Sequence, residues 1–331
     1  MSSDILMSLL STGPLTETKV AQTTFLITGA TGATGGDAAR QLLEKQHAVR
    51  ALAHRPDERS EQLQRLGAEV VFGDFLDFDS VRAALNGVRR AYFCYPISPG
   101  LVQATAQFAQ AAKEAGVEVI VNMSMIPARS DATSHAARQH WLSERVFDWS
   151  GVPAVHLRPT LFAEWLLYLA PMIRQGRMLA PFNTTGRHAP VAAEDQARLI
   201  VAILQHPAAH VGKTYPLFGP VELTHPEIAA IISHVFGKEV RYQQVPIEQF
   251  FEILSSGPKR PAQNSAMAMY SDPGALTGGS PKTFLMQHLR EAAIDHSNGI
   301  LAGTNNYIAE IGGRQPMTVK DFVSRNREAF V

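Results

Sequence analysis

The segment Thr28-Gly29-Ala30-Thr31-Gly32-Ala33-Thr34-Gly35-Gly36 places glycines at 29, 32 and 35, between an apolar, β-branched run and an Ala/Leu-rich run. Each glycine has its own task. Gly29 permits a sharp turn off a strand. Gly32 lets the backbone approach a diphosphate with no Cβ in the way. Gly35 lets the following helix pack closely on the sheet. The unpaired N–H groups where the helix begins, around Thr31, Ala33 and Thr34, can then bind phosphate oxygens, helped by the positive end of the helix dipole. What gives the glycines meaning is their place between a first strand and a first helix, which points to a dinucleotide.

The end of the second strand should choose between dinucleotides. A site for NAD(H) usually has a carboxylate there, to bind the ribose 2′-hydroxyl. This chain has Ala53-His54-Arg55, and its nearest acids, Asp57 and Glu58, lie beyond Pro56. A carboxylate would repel a 2′-phosphate, whereas Arg55 can pair with it and His54 can donate to it. One charge-assisted bond is worth roughly 1.5–3 kcal/mol, about a tenfold to hundredfold preference. The expected cofactor is therefore NADP(H), with NAD(H) second. Asp74, after Gly73, is either an adenine contact or a turn residue. Tyr95-Pro96 either shapes the cofactor groove or simply ends a strand.

These residues need a frame. Apolar runs at Thr23–Thr28, His47–Ala53, Ala68–Phe72, Arg90–Tyr95, Val117–Asn122 and Val152–Leu157 alternate with helical segments, including Gly100–Ala115 and Ala136–Trp149. Short connections and near-continuous apolar strands predict an α/β fold, a doubly wound parallel sheet of Rossmann type with a smaller mixed C-terminal lobe. We expect a flexible tail over 1–20 and the cofactor domain over 21–158, rejoined by segments near 186–220. A substrate lobe should take 159–185 and 221–331. Within it, Leu161–Arg174 reads as helix, Met178–His188 as loop, and Ser255–Pro281 as a mobile loop and candidate lid.

Composition excludes several classes. The 331 residues carry 30 Lys+Arg and 30 Asp+Glu, so the formal charge is zero and no basic stripe suggests nucleic acid. No apolar run reaches the roughly 18 residues of a membrane span, and Met1–Leu10 lacks the basic start of an export signal. A single cysteine, Cys94, suits a reducing, cytoplasmic setting. No metal is expected: the 12 histidines show no helical pair beside a carboxylate, and His206 and His210 flank the helix-breaking Pro207. The partner called for is a small-molecule substrate. The oligomeric state stays open, a homodimer included.

The glycine segment, Gly73-Asp74, Val121-Asn122-Met123-Ser124, Leu157-Arg158-Pro159-Thr160 and Val191–Asp195 occur in the order seen in NmrA-like proteins, and the chain resembles that family over about residues 22–250. The family belongs to the atypical short-chain dehydrogenase/reductases. The resemblance implies either an NADPH-dependent reductase of quinones, dyes or other unsaturated small molecules, or an NADP(H) sensor that binds a partner protein without turnover. It also places the turn at Pro159, Thr160 and Phe162 near the nicotinamide.

Catalytic short-chain dehydrogenases use a Tyr with a Lys four residues later. No tyrosine here has that Lys; by alignment, Ala136 takes the Tyr place and His140 the Lys place. Asn122, Ser124 and His140 remain. Ser124 should line the nicotinamide site, together with Met123 and Met125. His140 is either a ribose or proton-donating group, or an ordinary helix-surface histidine. Ser124 and His140 are thus the candidate catalytic residues. Phe162, Trp165 and Tyr168, at helical spacing, can form an aromatic wall for a flat substrate or pack as helix core. Gly186-Arg187-His188 either touches substrate or makes a turn.

Overall fold

The computed structural model describes residues 24–256 and 281–331. The expected tail and nearly all of Ser255–Pro281 lie outside the described residues. The first half alternates without a break: β1 (Thr24–Thr28), α1 (Ala33–Glu44), β2 (Ala48–Ala53), α2 (Glu58–Arg65), β3 (Glu69–Phe72), α3 (Phe78–Leu85), β4 (Arg90–Phe93), α4 (Leu101–Glu114), β5 (Val119–Met123), α5 (His135–Ser150) and β6 (Ala154–Pro159). Then follow α6 (Trp165–Ile173), β7 (Arg177–Ala180), α7 (Ala193–Gln205), β8 (Thr214–Leu217), α8 (His225–Phe236), β9 (Arg241–Gln244), α9 (Ile247–Ser256), α10 (Pro281–Ser297), α11 (Tyr307–Gly312), α12 (Val319–Arg325) and α13 (Arg327–Phe330).

Seven parallel strands form one sheet in the order β3-β2-β1-β4-β5-β6-β8. The order reverses between β1 and β4, and such a switch opens a crevice at the carboxyl ends of the strands. Side chains alternate between the two faces. Ile27, Val121 and Leu157 pack with Ala38 and Leu42 of α1 and Leu199 and Ile203 of α7. Leu26, Phe93 and Ile120 pack with Leu85, Phe108 and Phe147 of α3, α4 and α5. Phe93 meets Phe108 and Phe147 at ring-centroid distances of 4.9 and 5.2 Å, the tilted and edge-on contacts aromatic quadrupoles favour.

A third apolar cluster joins Leu166 and Leu169 of α6, Met178 of β7, Ile228 and Ile232 of α8, Phe250 of α9, Leu289 of α10 and Phe322 of α12. Three details depart from expectation. Helix α6 begins only at Trp165, because Phe162 bridges Val191 and the Ala163 N–H donates to the Val191 carbonyl at 3.0 Å. The expected Met178–His188 loop contains most of β7, which pairs in parallel with β9. Helix α11, assigned to the second lobe, instead puts Ile308 in the core with α1 and α7. Among the described residues no helix is long and apolar enough to cross a membrane.

Candidate functional site

The turn after β1 is built around two close approaches. Gly29 adopts φ +57°, a left-handed conformation that costs other residues energy, and its carbonyl accepts from the Gly32 N–H at 2.8 Å. A Cβ on Gly35 would stand 2.4 Å from the Gly29 oxygen, so a side chain there would push α1 off the turn. Gly32 caps α1 with no side-chain hydrogen bond to its first amides. Those N–H groups are left for a ligand, and an anion is the natural one. The Thr34 hydroxyl pairs inward with the Tyr92 hydroxyl at 2.8 Å, so only its backbone faces that role. The cradle fits the diphosphate of a dinucleotide.

β1 and β2 run in register from Thr24↔Ala48 to Thr28↔Leu52, which sets His54 level with Ala30. His54 and Arg55 are both exposed just past β2. A second guanidinium joins them. Arg59, in the first turn of α2, donates from Nη1 to the Thr31 carbonyl at 3.1 Å and pairs with Asp57. Asp57 in turn caps α2, accepting from the N–H groups of Arg59 and Ser60 at 3.0 Å each. The acid nearest the strand end is thus committed to the helix, and guanidinium flanks the glycine turn. Arg59 was not singled out from the sequence; only the fold brings α2 back to Thr31.

A cleft of about 180 Å³ runs from Gly32, Ala33 and Thr34 past Cys94, Tyr95 and Pro96 to Met123, Ser124, Met125 and His140. It continues along Pro159, Thr160, Phe162, Trp165 and Tyr168, and is closed opposite by Phe182, His288, Leu289, Ala292 and Leu301. Residues from both halves of the chain therefore share one cleft. Trp165 both lines it and stacks at 6.3 Å on Phe250 of the smaller cluster, so the wall and core readings hold together. The contributions of Phe182, His288 and Leu301 had no signal in the sequence, since each depends on the packing of the second half.

Several candidates need correction. Asn122 does not line the cleft. It shares its sheet face with Ile120, is fully buried, and its Nδ2 lies 3.1 Å from His156 Nδ1, whose ring reaches Asp148 at 3.0 Å. Asp74 does not line it either; its Oδ1 accepts from the Leu76 N–H at 2.9 Å, a turn role. Tyr95 donates to the Pro99 carbonyl at 3.0 Å. Ser124 donates to Glu144 Oε1 at 2.5 Å, and Glu144, fully buried, is clamped by Arg158 at 2.8 and 2.5 Å. The serine hydroxyl is thus held as a donor to a carboxylate that Arg158 fixes in place. Arg187 turns away to Glu222 and Glu227, and His188 is buried behind the cleft wall.

His140 is not a surface residue: it is 4% exposed, and its Nδ1 has no hydrogen-bond partner. Burial, aided by neighbouring His288, pushes its pKa down to about 3. At neutral pH it is a neutral imidazole, which removes the proton-donor role expected near neutrality and leaves hydrogen bonding. Burial likewise pushes the Cys94 thiol up to about 11, so Cys94 is a plain wall group. Ala136, at the place of the missing Tyr, is buried and carries no acid.

The model of the NmrA-like family matches residues 21–296. The chain belongs to the NmrA-like family. Its similarity to two curated relatives spans nearly their whole length. It is 28% identical over 308 residues to the NAD(P)H azoreductase of Xenophilus azovorans, covering 92% of this chain and 98% of that protein. It is 29% identical, over the same shares, to the (4-alkanoyl-5-oxo-2,5-dihydrofuran-3-yl)methyl phosphate reductase of Streptomyces griseus. Among solved structures, the NADPH-dependent quinone oxidoreductase of Escherichia coli complexed with NADPH superposes with a TM-score of 0.73 at 24% identity, over 92% of this chain and 99% of that one. That likeness shows the shared fold.

Proposed function

We propose that this NmrA-like protein is an NADPH-dependent reductase of flat, unsaturated small molecules: quinones, azo compounds or conjugated carbonyls. The observation that carries the reading is one continuous cleft, from the glycine cradle at Gly32–Thr34 to the aromatic wall of Phe162, Trp165 and Tyr168, with no acid where a carbonyl reductase would need one. The relatives named above are reductases of an azo compound and of a 5-oxo-2,5-dihydrofuran phosphate, which supports the class of acceptor.

When bound, the coenzyme would supply a hydride from its nicotinamide. The chain's own residues do the rest by positioning. The amides at the start of α1 hold the diphosphate. Arg55 favours the 2′-phosphate by charge and forked hydrogen bonds, His54 can donate to it, and Arg59, held by Asp57 and the Thr31 carbonyl, adds a guanidinium beside it. Trp165 and Tyr168, 6.2 Å apart at their ring centroids, offer an edge-and-face surface to a planar acceptor. Apolar Met123, Met125 and Leu301 keep bulk water from the reacting face. Neutral His140 can hydrogen-bond a bound carboxamide or hydroxyl. Quinones and conjugated carbonyls spread the negative charge left by hydride addition, so no acid is needed at the reacting face and the proton can come from solvent as the product leaves.

The reading is tested by steady-state assay of the full chain with NADPH against a naphthoquinone, an azo dye and an enone. Acceptor-dependent oxidation of NADPH is expected with at least one. Tight NADPH binding without acceleration by any of them would overturn it.

A further inference from the structure

Behind the cleft wall lie three histidines that the reductase reading does not use. His188 comes from the strand-like segment that pairs with Leu223, His225 is the first residue of α8, and His296 lies near the end of α10. They are 3%, 5% and 0% exposed. Their ring centroids form a nearly equilateral triangle with sides of 4.9, 5.1 and 5.2 Å. One nitrogen from each lies within 4.8 Å of the other two.

We propose that His188, His225 and His296 form a buried site for one divalent transition-metal ion of zinc type. His188 Nδ1 and His296 Nε2 face each other at 3.3 Å, and two imidazole nitrogens on a tetrahedral ion stand about 3.3–3.4 Å apart for bonds of about 2.0–2.1 Å. Packing alone explains the trio poorly. The Nδ1 atom of His225 is buried with no hydrogen-bond partner, a cost that native interiors avoid unless an ion or water answers it. An all-imidazole donor set suits zinc, copper, nickel or iron(II) better than calcium or magnesium.

The seat is shaped for the rings. A Cβ on residue 186 would come within 2.4 Å of the His296 ring, so Gly186 makes room for it. Phe182 stacks on His225 at 4.8 Å and 11° and itself lines the cleft. The ion would pin α10, which supplies His288, Leu289 and Ala292 to the cleft, against α8 and the segment at 188. Its role is structural, since the cleft-facing groups stand between it and substrate. The histidines are remote from one another in sequence, which is why no ligand spacing announced them and why the absence of a metal was expected.

The test uses the full chain stripped with chelator and then titrated with Co²⁺ alone and Zn²⁺ alone. One Co²⁺ per chain is expected, with the visible bands of four- or five-coordination, a Kd of about 1 µM or tighter, and a Tm raised by Zn²⁺. His225→Gln and His296→Gln should each weaken binding about a hundredfold, while the double variant His206→Gln/His210→Gln binds as before. No binding, unchanged binding in His225→Gln and His296→Gln, or loss in the His206/His210 double variant would overturn the site. Should the buried variants not fold, X-ray absorption on the Co²⁺-loaded natural chain decides: three imidazole nitrogens support it, one or none refutes it.

Discussion

The Cβ that Gly35 lacks would sit 2.4 Å from the carbonyl oxygen of Gly29, a contact backbone cannot yield without reshaping the turn. The diphosphate cradle depends on that closeness. Gly35→Ala should therefore weaken NADPH binding at least about tenfold, an effect of roughly 1.4 kcal/mol or more, with a lower Tm. Fluorescence titration and thermal melting check both; native affinity in the variant would contradict this use of the glycine.

Selection for the 2′-phosphate is assigned to His54, Arg55 and Arg59. Arg59→Ala, and separately the pair His54→Ala/Arg55→Ala, should each weaken NADPH by about tenfold to a hundredfold, the worth of a lost charge-assisted bond. NADH should be little affected. Equal losses for both coenzymes would show that these residues hold the loop and do not read the phosphate.

Glu164 provides a pH test independent of cofactor. It is buried beside α7, accepts from the Ala193 N–H at 2.9 Å, and burial pushes its pKa from 4.5 up to about 7. The folded protein holds this proton more tightly than the unfolded chain does. The linked stability is thus complete below pH 4.5 and lost as the pH rises through about 7, on the order of 3 kcal/mol in all. Glu164→Gln keeps the acceptor and abolishes the titration. Its Tm should match the natural chain at about pH 4 and exceed it at about pH 8. Parallel pH dependence in the two proteins would contradict the assignment.

The neutral state of His140 makes a kinetic prediction. With its pKa near 3, kcat/KM should show no histidine limb across neutral pH, and His140→Gln should keep the shape of the profile while lowering its height. A limb near pH 6.5, the ordinary histidine value, that vanishes in the variant would restore His140 as an acid.

The aromatic wall is tested by Trp165→Ala. Loss of one stacking partner should raise KM for planar acceptors about threefold to tenfold and leave KM for NADPH unchanged. A rise in both, or in neither, would return Trp165 to a packing role against Phe250.

What could be read from sequence followed the strength of local signals. The inner strands β1, β4, β5 and β6 are largely buried on both faces, so apolar runs such as Phe25–Ile27 and Ile120–Val121 declare themselves. β7 did not: Arg177–Ala180 is four residues long, and its partner β9 comes only after two helices and a strand. Asn122 was misjudged because adjacent strand residues face opposite sides of the sheet; Met123 looks toward the cleft and Asn122 toward α5. Arg59, Phe182 and the three histidines carry no local signature, since each acquires its role from chain that folds back over long separations.

The most direct test of the central claim, that the β1–α1 turn and its cationic neighbours grip a phosphorylated dinucleotide, is calorimetric titration of the full chain with NADPH and with NADH. The account predicts one NADPH per chain, bound about tenfold to a hundredfold more tightly than NADH. Retention of neither coenzyme, or a preference for NADH, would contradict it.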